Sequence, residues 1–119
     1  MKISRRDVVE VVFASNTKAS HPVIVLSPEE INSEEESFLG VMITDSLYFD
    51  VNNDFSFPLD DSMFVKPLKE KSSKARLYLV NFLPNSSVVN KAKINEMKID
   101  AFKQLIKDLN LKVFDINIS

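Results

Sequence analysis

Apolar residues along this chain come in short β-branched runs rather than long helical stripes. Asp7 to Ala14 (DVVEVVFA) carries Val8, Val9, Val11, Val12 and Phe13, a strand composition. His21 to Pro28 (HPVIVLSP) and Phe38 to Ser46 (FLGVMITDS) are two further runs, bounded by turn formers and polar residues. Both are too short for independent helices, and each reads as a buried strand. Ser15 to Ser20 is a polar hairpin link, and Pro22 sits near a strand start, where proline is tolerated at a first or edge position. Phe55 to Leu59 alternates with period two, and Met63 to Leu68 reads as a short strand. Ala75 to Leu83 (ARLYLVNFL) is another, with Leu77, Leu79 and Asn81 on one side and Tyr78, Val80 and Phe82 on the other. Val88-Val89 is expected to pair briefly, and Leu111 to Ser119 reads as a closing strand.

Helical signals are fewer. Ser27-Pro28-Glu29-Glu30 resembles a helix start, with Ser at the cap, Pro at the first helical position and acids in the first turn. That helix is expected to run through Ile31, followed by a solvated acidic link, Asn32 to Glu36. Ile99, Phe102, Leu105, Ile106 and Leu109 form one apolar stripe at helical spacing, with Asn110 as the stop. The pattern therefore predicts about six or seven short strands with one or two helices, mainly β. Closely spaced strands with little helix favour a small antiparallel barrel or sandwich. Residues 1–119 are expected to form a single domain.

Composition narrows the chemistry. The chain has no Cys, so disulfides, thiolate metal sites and a Cys nucleophile are excluded. One His cannot build a multi-His metal site, and no cofactor is expected. The first residues lack an apolar signal segment and no apolar run approaches about 18 residues, so a cytoplasmic protein is expected. A net charge of −2 does not advertise nucleic-acid binding, although Lys66, Lys69, Lys71, Lys74 and Arg76 make one local basic segment. If the strands beginning at His21 and Phe38 run antiparallel across the link from Glu29 to Ser37, His21 meets Thr44, Asp45 and Ser46 at one sheet edge. An imidazole then lies near a hydroxyl and a carboxylate. Tyr48, Phe49, Phe55 and Phe57 flank the loop after Thr44, as candidate base-stacking rings.

The order of elements and two local motifs resemble the PemK/MazF-type toxin family, SH3-like barrel endoribonucleases of toxin–antitoxin systems. Arg5-Arg6-Asp7-Val8-Val9 stands where members carry an Arg-Gly-Asp-like turn into the first strand. His21-Pro22-Val23-Ile24-Val25-Leu26-Ser27-Pro28 resembles their Arg-Pro strand, and Met42-Ile43-Thr44-Asp45 their Pro-Ile-Thr-Ser strand end. The resemblance implies a small SH3-like antiparallel barrel with a C-terminal helix and a terminal strand. It also implies metal-independent cleavage of single-stranded RNA, a small antitoxin protein as partner, and a homodimer. Thr44 matches an active-site position, while the family's phosphate-contacting Arg falls at His21. Only Asn81 is polar where a later strand of the family carries further active-site groups.

Such cleavage needs a base for the 2′-hydroxyl proton, donors for the phosphorane charge and an acid for the leaving 5′-oxygen. Histidine is the side chain that titrates nearest neutral pH, so His21 is the candidate for proton transfer. Thr44 is the hydroxyl donor and Asp45 the carboxylate that orients the imidazole. Arg6, Lys18 and Lys66 are the candidate RNA-binding cations. Two other readings stand beside the nuclease: a toxin-like barrel without activity that serves as a binding or regulatory module, and an unrelated β-barrel adaptor.

Overall fold

The computed structural model describes residues 2–13, 20–44, 55–69 and 73–114. The elements are β1 (Asp7–Val12), β2 (Ser20–Val25), α1 (Glu29–Glu35), β3 (Ser37–Thr44), β4 (Ser56–Pro58), β5 (Lys74–Pro84), β6 (Asn95–Glu96) and α2 (Ile99–Leu109). The strands form one six-stranded sheet in the order β4-β5-β3-β2-β1-β6, all pairs antiparallel, curled into a half-barrel.

Alternation along the strands splits the core into two clusters, one on each face of the sheet. Val8, Ile24, Val41, Ile43, Ala75, Leu77 and Phe57 pack under Phe102, Leu105 and Leu109 of α2. Val9, Val11, Val23, Val25 and Phe38 pack on the other face with Ile3, Leu83 and Val88. The stripe expected on α2 is therefore core, except that Ile99 lies half-exposed at the first turn.

Several elements depart from expectation. Ser27 does not cap α1. Its hydroxyl instead donates to Asn32 and accepts from the Leu39 N–H at 2.8 Å, and Pro28 occupies the cap position. The helix continues through the acidic segment read as a link and ends at Glu36 in the left-handed region (φ 54). What holds the extra turn is Asn32, only 1% exposed. Its amide donates to Ile3 O at 2.7 Å and Ser27 O at 3.0 Å, while its own carbonyl accepts from the Asn85 side chain at 2.9 Å. The side-chain amide and backbone carbonyl of this one buried residue thus tie the N-terminus, the β2–α1 connection and the end of β5 together.

Met63 to Leu68 is not a strand. Asp61–Met63 forms a 3-10 turn held by the Asp60 cap, and only Phe64 makes a bridge, to Met97. Asn110 does not stop α2; the chain continues as a wider helical turn through Phe114, so no strand starts at Leu111. Val88 does pair briefly, bridging Val11. The two-residue β6, too short to show a period, pairs with Asp7 and Val8. The hairpin link at residues 14–19, the loop 45–54 and residues 115–119 lie outside the described residues. Among the described residues, no helix is long and apolar enough to cross a membrane.

β3 approaches β2 closely at Gly40, the chain's sole glycine. A Cβ built there would lie 2.3 Å from Val23 Cγ1 and 3.3 Å from a ring carbon of Phe38. Val23 is buried and β-branched, so it has no alternative rotamer into which to retreat. Gly40→Ala is expected to destabilise the fold by about 1–3 kcal/mol through overpacking, read as a lower urea midpoint with unchanged slope. A midpoint equal to that of the parent chain would show that β3 can move away from β2 freely.

Candidate active site

The β2–β3 ladder pairs Val23 with Met42, Ile24 with Val41 and Val25 with Gly40. The ladder ends at Val23–Met42; a continuation by two residues would set His21 opposite Thr44. The faces agree: Val23 and Val25 on β2 pack in the same cluster as Phe38 on β3, whereas Ile24, Val41 and Ile43 pack in the other. His21 and Thr44 therefore fall on one face, at the ends of their strands. His21 is exposed and pairs with Val11 across the β1–β2 ladder. Its imidazole meets the Phe13 ring edge-on, with centroids 5.7 Å apart.

The next strand extends the row. Thr44 pairs with Lys74 of β5, and Lys74 in turn pairs with Pro58 of β4. Ala75 and Leu77 pack in the α2-side cluster, so Lys74 and Arg76 lie on the face shared by His21 and Thr44. The Thr44 hydroxyl and the Lys74 ammonium thus belong to paired residues, and the His21 imidazole lies on the same face of the adjacent strand. Lys74 was counted in the sequence among loop cations. It is instead the first residue of β5, one position outside the predicted strand, and only the long-range β3–β5 register reveals its neighbour.

The other predicted cations stand elsewhere. Arg6 occupies the turn between Ser4 and Asp7 with φ 77, the left-handed conformation that glycine would adopt at no steric cost. Its N–H donates to Val25 O at 2.9 Å, at the opposite end of β2 from His21. The guanidinium donates to Met97 O at 3.0 Å and lies 3.6 Å from a Glu96 carboxylate oxygen. Arg6 is thus a clasp between the first turn and β6. Lys66 is exposed beside the same edge, its backbone held by the Asn95 side chain through a 3.0 Å and a 3.1 Å hydrogen bond. Neither joins the His21–Thr44–Lys74 row. Phe57 is core rather than a stacking ring, and Phe55 is half-buried. Lys18, Asp45, Tyr48 and Phe49 lie outside the described residues. Among the described residues, no group of three or more His, Asp or Glu is placed to hold a metal ion.

The sequence profile of the PemK-like, MazF-like toxin of type II toxin–antitoxin systems matches residues 4–112. The chain belongs to that family. No curated protein matches it in sequence. Solved structures of similar fold include a mycobacterial endoribonuclease in complex with its cognate antitoxin, at TM-score 0.69 and 10% identity. That match covers 95% of this chain and 94% of the other. A MazE–MazF structure from Deinococcus radiodurans matches at TM-score 0.68 and 15% identity, covering 92% and 93%. The Mycobacterium tuberculosis toxin MazF-mt6 matches at TM-score 0.71 and 15% identity, covering 94% and 99%. At such low identity, side chains diverge while the backbone persists.

Around the Arg6 clasp, Lys93 Nζ lies 2.8 Å from Glu96 and 3.6 Å from the buried Asp7 carboxylate. The hydrogen bond to Glu96, reinforced by Asp7, raises the Lys93 ammonium above its ordinary value. The same hydrogen bond, with the nearby Lys93 and Arg6 charges, holds the Glu96 carboxyl below the ordinary carboxylate range. A depressed carboxyl contributes stability above its unfolded value and loses it as pH falls through the folded one. A raised ammonium contributes below its unfolded value and loses it as pH rises through the folded one. Exposed pairs of this kind contribute at most about 1 kcal/mol. Lys93→Met is expected to flatten both the acid and the alkaline limb of a plot of urea midpoint against pH. Limbs identical to those of the parent chain would remove the pair from the stability of the β1–β6 edge.

Proposed function

We propose that this chain is the endoribonuclease toxin of a toxin–antitoxin pair and cleaves single-stranded RNA with its own side chains on the β2–β3–β5 face. What supports this reading is the pairing of Thr44 with Lys74, with His21 on the same face of the neighbouring strand, in a family member. In the proposed step the RNA 2′-hydroxyl oxygen attacks the adjacent phosphorus and the bond to the 5′-oxygen breaks. The products are a 2′,3′-cyclic phosphate and a 5′-hydroxyl end. His21 exchanges the proton with the reacting oxygens, Thr44 donates to a non-bridging phosphate oxygen, and Lys74 balances the charge that develops on the phosphorane. Lys74 supplies the positive charge expected of an arginine at the His21 position, though as a point charge rather than a planar fork.

The partners follow from the same reading. An antitoxin segment that folds on binding blocks the RNA face. A second copy of the chain covers exposed apolar side chains such as Phe82 (70% exposed), Leu111 and Phe114.

The purified chain incubated with end-labelled single-stranded RNA is expected to cut it and leave cyclic-phosphate ends. His21→Ala is expected to lower the rate by roughly 10²–10⁴-fold. Thr44→Ala and Lys74→Ala are each expected to lower it by about 10²–10³-fold, with circular dichroism unchanged. Full activity in any two of these variants would remove the row from the chemistry. No cleavage by the parent chain would favour the binding-module reading.

A further inference from the structure

We infer that Tyr78, braced by Arg76, is a stacking platform for one base of the RNA, set along β5 from the row that takes the scissile phosphate. The inference rests on the nuclease reading and names what would give that nuclease a base preference.

Three observations meet at this point of the fold. First, β5 leaves the β3 ladder here. Val80 pairs with Val41 and Ala75 with Ile43, so residues 76–79 stand opposite the single residue Met42. Such a bulge lifts side chains out of the regular ladder and re-aims them. Second, the lifted segment carries an aromatic ring that the core does not take up: Tyr78 is 47% exposed. Third, the ring is held rather than loose. Arg76 Nε donates to the phenol oxygen at 2.9 Å, its Nη2 donates to the same oxygen, and the guanidinium carbon lies 5.1 Å from the ring centroid.

A ring fixed by its own neighbour loses little conformational freedom when a flat ligand lands on it. Lys74 and Arg76 lie on one strand face, about 7 Å apart at the rise of a β-strand, and Tyr78 follows Arg76 by the same step. Cations spaced along a strand with an exposed ring beside them form the usual surface for a single-stranded nucleic acid: charge follows the backbone and the ring takes a base. The cations alone would suit an acidic peptide equally. The half-exposed, braced aromatic ring is what selects a base.

The chain contains two Tyr and no Trp, so Tyr48→Phe leaves Tyr78 as the only strong emitter. That variant is titrated with 2′-O-methyl RNA oligonucleotides, which lack the attacking hydroxyl, and with the same oligonucleotides made abasic at one position in turn. Expected is a saturable quench of Tyr78 emission that disappears for one abasic position. Tyr78→Ala is expected to weaken binding roughly tenfold to a hundredfold, and Tyr78→Phe to retain most of it. Base-dependent quenching without RNA cleavage by the parent chain supports the platform while the nuclease reading fails. Cleavage by the parent chain with no abasic-sensitive quench, and an unaffected Tyr78→Ala, overturns the platform and leaves the nuclease. Quenching by an acidic peptide but by no oligonucleotide overturns it as well, marking a protein-docking face.

Discussion

The contact on which the rest depends is the close passage of β3 over β2 at Gly40. Without a Cβ at Gly40, β3 sits against Val23 of β2 at a distance that a side chain there would not allow. Because the side-chain period of a strand is two, a slip of one residue would send Val41 and Ile43 out of the α2-side cluster. The pairing is therefore specified from both faces, and the ends of the two strands inherit it. The faces on which His21 and Thr44 stand are thus set by packing several residues away.

Polar groups secure the other end of the sheet. Asn32 joins the N-terminus and the β2–α1 connection through its buried amide, and the end of β5 through its backbone carbonyl. Arg6 holds a left-handed turn against β6 through its backbone and its guanidinium. Both lie away from the His21 end of β2, which leaves that end for charged and hydroxyl side chains that the core does not need. The division of labour is spatial: buried polar networks rigidify one end, and the other carries exposed chemistry.

Local features were legible in the sequence and long-range ones were not. The pairing of the His21 and Phe38 runs, the face of α2 and the brief pairing of Val88 follow from short-range pattern. The expected meeting of His21 with Thr44 extends that pairing two residues beyond Val23–Met42, where the ladder ends. Lys74 was missed because its partner lies thirty residues upstream on β3 and depends on where the irregularity in β5 falls. The acidic segment after Ile31 was read as a link because charge dominates its composition, yet one buried asparagine holds it helical. Arg6 was taken for an RNA-binding cation because its charge is visible in sequence, while Glu96, Lys93 and Met97, which engage the same cluster, are some ninety residues away. The expected terminal strand failed at Leu111 because α2 unwinds gradually into a wider turn instead of stopping at Asn110.

The chain has no cysteine, so its central geometric claim can be tested by cross-linking with no background. In a His21→Cys/Thr44→Cys double variant under mild oxidation, directly opposed positions bring the Cα atoms within the ~4.4–6.8 Å that a disulfide spans. The account predicts rapid intramolecular cross-linking of this pair. It predicts none for His21→Cys/Ile43→Cys, whose second thiol points to the other face. A slow or absent bond in the first pair, or equal bonding in both, would contradict the alignment on which the site is built.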